Sequence, residues 1–167
     1  MKVSLSWYAV YTTARSEKKV KKRLDEAGIE NYLPLRTEYR IWSDRKKKVA
    51  FPLIPGYVFV RIARTAFLEV LNISGVVTFL KEKSVPAPIP DNQIERLRMM
   101  VEYAFDQVEF ETRSIAPGDT IQVNQGPLCG LIGELVEMRG KYKIAIRIEH
   151  FGCALTTIPM GWVEKVS

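Results

Sequence analysis

From Tyr57 to Ile62 aliphatic residues alternate with aromatic or charged ones at period two, which predicts a strand with two unlike faces. Val58, Val60 and Ile62 share one face and read as core. Tyr57, Phe59 and Arg61 share the other, and its two aromatics call for a covering element or a docking partner. Ile54-Pro55-Gly56 forms a rigid turn into this strand. Earlier in the chain, Trp7–Thr12 is rich in strand formers. Ser16 stands at the cap of a helix with Glu17 in its first turn, Val20, Leu24 and Ala27 along one narrow stripe, and Gly28 as its stop. Glu30 to Trp42 reads as extended with a break at Pro34; Ser43–Lys46 turns the chain, which returns through Val49 and Phe51. Thr65 caps a short helix that sends Phe67, Leu68 and Leu71 inward, and Val76–Leu80 is a further strand. Prolines hold Val85–Pro90 extended, and Asp91 then caps a helix with Ile94, Leu97, Val101 and Ala104 on one side.

This order of elements predicts an α+β fold: an α/β sandwich with helices packed on an antiparallel sheet, over residues 1–105. Residues 106–117, with Asp106, Glu109 and Glu111, read as a linker. Residues 118–167 differ in texture. Short strands around Ile121–Val123, Ile132–Val136, Tyr142–Ile148 and Leu155–Ile158 are punctuated by glycines, which predicts a small SH3-like β barrel of about five strands. A helical arrangement of this segment is disfavoured. Gly126, Gly130, Gly133 and Gly140 would each cost about 1 kcal/mol in a helix and Pro127 about 3 kcal/mol.

Charge narrows the range of partners. The net charge is +6, but residues 1–64 alone carry 15 basic against 6 acidic residues, whereas 118–167 are balanced. Lys18, Lys19, Lys22 and Arg23 line the polar side of the first helix, and Arg45, Lys46, Lys47 and Lys48 crowd a hairpin tip. Such concentration predicts an anionic partner, nucleic acid before membrane. No run of about 18 apolar residues is present to span a bilayer, and the first residues do not have the character of a signal peptide, so a cytoplasmic, monomeric protein is expected.

Catalytic chemistry finds little support. His150 is the single histidine; Cys129 and Cys153, the two cysteines, have no activating context and read as reduced core residues. No lysine follows the glycine-rich stretch Gly126–Gly130, so it is no phosphate loop, and neither metal nor cofactor is expected. An RNA-recognition module fails on Pro55 and Val58, which replace its basic and small residues. The expectation is a binding protein, not an enzyme.

Trp7-Tyr-Ala-Val-Tyr11, the charged helix, Ile54-Pro-Gly-Tyr-Val-Phe-Val60, Gly75-Val-Val and Pro86-Ala-Pro-Ile-Pro90 resemble the amino-terminal domain of the NusG family. Val123-Asn-Gln-Gly-Pro-Leu-Cys-Gly-Leu-Ile-Gly-Glu-Leu-Val136 resembles its KOW domain. Trp42-Ser-Asp-Arg-Lys-Lys-Lys48 is similar to specialised UpxY-type paralogues of Bacteroides-like bacteria. That resemblance implies antitermination on capsular or other polysaccharide operons. It further implies a non-enzymatic elongation factor that binds the clamp helices of bacterial RNA polymerase through Tyr11, Ile54, Tyr57 and Phe59. Non-template DNA or nascent RNA would meet the basic residues. Phe151 of the KOW domain would meet a small-subunit ribosomal protein. An RNA- or ribosome-binding KOW protein is the alternative, since ribosomal proteins also carry that pattern.

Overall fold

The computed structural model describes residues 3–104 and 106–166 of the chain; residues 1, 2, 105 and 167 lie outside the description. Two compact units divide it, Met1–Pro90 and Asp91–Ser167.

In chain order the first unit contains β1 (Ser6–Thr12), α1 (Glu17–Glu26), β2 (Asn31–Tyr32), β3 (Leu35–Trp42), β4 (Arg45–Pro52), β5 (Tyr57–Ile62), α2 (Phe67–Leu71), β6 (Val76–Phe79), β7 (Lys81–Glu82) and β8 (Val85–Pro86). Its central sheet has the order β2-β5-β1-β6, with β1 and β5 antiparallel from Ser6↔Ile62 to Tyr11↔Tyr57. The aliphatic face of β5 is core, as its alternation predicts. Val58, Val60 and Ile62 cluster with Tyr8 and Val10 of β1, Val20 and Leu24 of α1, and Val70 of α2. Ser16 precedes α1 but makes no capping bond; its hydroxyl instead accepts from Thr13 Oγ1 at 2.7 Å. The inward phase of α2 also differs from expectation. Leu68 and Leu71 are exposed, and Val70 instead joins the core cluster; a 3-10 turn over Arg64–Ala66, which includes the expected cap Thr65, precedes α2. Phe67 does pack inward, with its ring 5.1 Å from both Tyr8 and Phe79.

Three alternating prolines explain how the segment after β7 seats. Only every second residue of Pro86–Pro90 has an N–H, and both are used: Ala87 donates to Leu80 O at 3.0 Å and Ile89 to Trp7 O at 2.8 Å. Ala87 and Ile89 are buried.

The second unit holds α3 (Asp91–Tyr103), β9 (Val108–Glu111), β10 (Asp119–Val123), β11 (Ile132–Met138), β12 (Lys141–Ile148), β13 (Gly152–Thr157) and β14 (Val163–Lys165). Its strands form one antiparallel sheet in the order β14-β10-β11-β12-β13-β9. The expected linker is therefore structured in part: Val108–Glu111 pairs with β13. Its alternation of Val108 and Phe110 with Glu109 and Glu111 is a strand signature too short to stand out among acidic neighbours. Helix α3, expected in the first domain, groups with the second unit, where Gln93 Oε1 accepts the Glu149 N–H at 2.8 Å. Ile94, Leu97 and Met100 are its buried residues; Met100 takes the inward place expected of Val101, which is half-buried.

A bidentate ion pair crosses this sheet. Arg147 Nε and Nη2 donate to Glu134 at 2.8 and 3.0 Å, and Nη2 also reaches Ile115 O at 3.0 Å. The guanidinium, chiefly by hydrogen bonding, holds the Glu134 carboxyl below the usual carboxylate range. Cys153 is buried, which pushes its thiol pKa up, whereas Cys129 is exposed rather than a core residue.

Candidate functional site

The turn that begins β5 is built from its sequence in a direct way. Tyr57 N–H donates to Ile54 O at 3.2 Å across Pro55 and Gly56, a turn with proline first and a left-handed glycine second. Gly56 has φ +88°, and a Cβ there would also stand 3.2 Å from Tyr11 Cε2. Its N–H donates to Glu17 Oε2 at 3.2 Å and its carbonyl accepts Thr12 N–H at 2.8 Å. A buried carboxylate on α1 and the end of β1 thus fix the turn from two sides. Glu17 has a structural role that its place in the first helical turn did not disclose.

On this frame stand Tyr11 and Tyr57, directly paired across β1 and β5, with ring centroids 5.3 Å apart. Tyr11 is 44% exposed and Tyr57 is half-buried. Burial raises the Tyr57 phenol pKa, with a smaller contribution from Tyr11. The pairing register of β1 against β6 shifts between Tyr11 and Thr12, an irregularity of the kind that re-aims a side chain. The other two residues expected on this surface are core residues instead. Ile54 is 3% exposed and Phe59 is 0% exposed, its ring stacked 6.3 Å from that of Tyr32. Neither offers area to a partner, so of the two aromatics on that face of β5, Phe59 is covered and only Tyr57 is open. Of four predicted contact residues the structure brings two, Tyr11 and Tyr57, together at the surface.

The basic residues fall into two patches. Lys18, Lys19 and Lys22 are exposed on α1, and Lys18 Nζ also donates to Ala50 O at 2.7 Å, tying the helix to β4. Arg23 is half-buried and donates to Ser74 O at 2.7 Å, so part of its role is to hold the loop before β6. The second patch lies on the β3–β4 ribbon. Its register runs Leu35↔Pro52 to Trp42↔Arg45, so the loop is Ser43-Asp44 alone and Arg45–Lys48 belong to a strand rather than to a tip. Alternation then distributes the charges over both faces. Arg45 and Lys47 share a face with Trp42 and Arg40; Lys46 and Lys48 share the opposite one with Ile41 and Tyr39. Lys47 Nζ lies 5.1 Å from the centre of the Trp42 ring and Lys46 Nζ 4.8 Å from that of Tyr39. Tyr39, Ile41 and Trp42 are 63%, 77% and 59% exposed. Sequence reasoning named the cations and missed Tyr39 and Trp42, which fall on opposite faces of the ribbon. From Ala50 to Arg45 the ribbon extends about 17 Å.

Phe151, expected at a partner surface of the second unit, is half-buried with its ring 5.1 Å from Phe110 in an edge-on contact. It borders an open groove of about 570 Å³, lined in part by Arg113, Ile115, Arg147, His150 and Cys153.

Comparison with known proteins gives a consistent outcome. Residues 5–98 match the family model described as "Transcription termination factor nusG". The transcription termination/antitermination protein NusG of Bacillus subtilis is 29% identical over 164 residues, covering 88% of this chain and 90% of that protein. Its counterpart in Staphylococcus carnosus is 26% identical over 161 residues, covering 87% of each. A solved structure described as "Domain interaction in Thermotoga maritima NusG" shares the fold, with a TM-score of 0.55 at 22% identity over 98% of both chains.

Proposed function

The chain belongs to the NusG family of transcription termination/antitermination factors, and from that premise we propose that it is an elongation factor that binds the clamp helices of bacterial RNA polymerase and suppresses pausing or termination. The observation that carries this reading is the Tyr11–Tyr57 pair. Two aromatics stand side by side above a turn fixed by Glu17, on a face whose neighbouring residues are already buried. Rigid aromatics on a pre-formed surface lose little entropy on docking and often carry a large share of an interface's energy. Ile54 and Phe59, buried nearby, belong to the frame rather than to the contact.

The β3–β4 ribbon and the outer side of α1 meet the nucleic acid of the elongation complex, non-template DNA in preference to nascent RNA. Arg45, Lys46, Lys47 and Lys48 contribute phosphate contacts, and Lys18, Lys19 and Lys22 extend them. The resemblance of Trp42–Lys48 to UpxY-type paralogues supports action on a restricted set of polysaccharide operons. The six-stranded sheet serves as a KOW-type, SH3-like barrel that recruits a small-subunit ribosomal protein around Phe151. The protein acts in the cytoplasm as a monomer, without cofactor or catalytic step.

Affinity purification of the full chain from its native cells tests the reading. Core RNA polymerase should co-purify, and chromatin immunoprecipitation should find occupancy confined to a few operons. Ribosomal RNA without polymerase would overturn it in favour of a ribosome-binding protein; genome-wide occupancy would remove the operon specificity alone.

A further inference from the structure

Strand β9 sits on the outer edge of β13 in the register Cys153↔Glu111, Ala154↔Phe110, Leu155↔Glu109 and Thr156↔Val108. Two residues of β13 are shaped to that arrangement. Gly152 lacks the φ that demands glycine, yet a Cβ there would collide with Glu111 O and stand 2.9 Å from Phe110 Cε1. Its missing side chain is the space β9 occupies. At the other end Thr156 is 1% exposed, and its hydroxyl donates to Gln107 O at 3.0 Å. A buried hydroxyl without such an acceptor would cost about 1–3 kcal/mol. Side chains complete the fit: Phe110 meets Phe151 edge-on, and Lys143 Nζ lies 3.4 Å from Glu109 Oε2.

The occupant is slight by comparison with its seat. It has four residues, among which only Val108 and Phe110 are apolar, and Glu109 is exposed. Ser114, Ala116 and Pro117 on its far side are also exposed, and the chain between β9 and β10 forms no strand. Short edge strands of this kind open locally at little cost. An edge whose backbone groups, glycine and threonine are arranged for an incoming strand is a site for β-augmentation.

We propose that the β13 edge is a strand-docking site, covered in the free chain by β9, whose partner is an extended protein segment of the same chemistry: an aromatic residue to set against Phe151, one residue after a carboxylate to pair with Lys143. The partner takes the place of β9 and inherits its bonds, so β9 acts as a competitor tethered in cis. The proposal does not require polymerase binding by the first unit.

A synthetic peptide with the sequence of residues 106–113 serves as the probe, titrated into isotope-labelled full-length chain. In a variant carrying Val108→Ser, Glu109→Lys and Phe110→Ser, the peptide should shift the amide signals of Phe151 and Cys153–Thr156. In the unaltered chain, where tethering gives β9 an effective concentration in the millimolar range, binding should be at least about tenfold weaker. Adding Gly152→Val to the triple variant should abolish it. Absence of binding to a triple variant that keeps β10–β13 folded would overturn the proposal, as would undiminished binding after Gly152→Val. If the triple variant does not fold, hydrogen exchange of the unaltered chain decides. Amides 108–111 should exchange through a local opening far faster than those of β12, and exchange of both only on global unfolding would contradict a displaceable cover.

Discussion

Two antiparallel strand pairs of the first unit, β1–β5 and β3–β4, share a topology and little else. β1–β5 is buried over most of both faces, with the cluster around Val58 and Val60 on one side and Trp7, Ala9 and Phe59 buried on the other. β3–β4 is a separate two-stranded ribbon with Tyr39, Ile41 and Trp42 in solvent and cations lying against two of those rings. Burial therefore holds the first pair, whereas ladder bonds and cross-strand pairs worth roughly 0.2–1 kcal/mol each hold the outer part of the second. A surface held so lightly keeps its side chains available.

The largest expected effect lies in the buried pair. Phe59→Ala should destabilise the fold by about 3–5 kcal/mol, as truncation of a fully buried phenylalanine does elsewhere, read by denaturant unfolding. A cost below about 1 kcal/mol would show that its surroundings are not a packed core. Next in size is a change on the ribbon with the opposite signature. Trp42→Ala should leave stability within about 0.5 kcal/mol, as for most surface positions. It should weaken binding to single-stranded DNA by about 1–3 kcal/mol if a base stacks there, measured by fluorescence anisotropy. A drop in stability with unchanged binding would reverse the comparison. Replacing Lys46, Lys47 and Lys48 by glutamate should reduce the log–log salt slope of that binding by roughly one unit for each phosphate the chain no longer neutralises.

The second unit sharpens the contrast, because it is held in part by charge. Arg113 holds the Glu111 carboxyl at about 2, chiefly by side-chain hydrogen bonding, and Arg147 lowers that of Glu134. Both folded-state values lie below the ordinary 4.5, so what these pairs contribute is present above pH 4.5 and is lost as pH falls below it, for Glu111 towards about 2. The melting temperature measured between those limits should fall, and Glu134→Gln should flatten the decline. An unchanged acid limb would assign the decline to other carboxylates. The smallest effect is chemical: a thiol reagent should modify exposed Cys129 in the native state and leave buried Cys153 until unfolding.

What the chain disclosed in advance follows the same division. Period-two alternation located β5 and its core face, because six consecutive residues obey it. Proline and glycine located the turn before it. Strand β9 escaped notice, since four residues of alternation inside an acidic stretch carry little signal without the edge they pair with. Burial of Ile54 and Phe59 was equally hidden, because periodicity assigns a face and says nothing about whether another element covers it. Glu17 shows the same limit from the polar side: its role depends on a turn 39 residues away.

The Tyr11–Tyr57 pair as the polymerase contact is the central claim, and one titration addresses it. Core RNA polymerase is titrated with the unaltered chain and with a Tyr11→Ala, Tyr57→Ala double variant, and the melting temperature of each protein is recorded alongside. The prediction is a fall in affinity of about 30-fold or more, equivalent to at least about 2 kcal/mol for buried aromatic anchors, with melting changed by no more than a few degrees. Undiminished affinity in a folded double variant would contradict it.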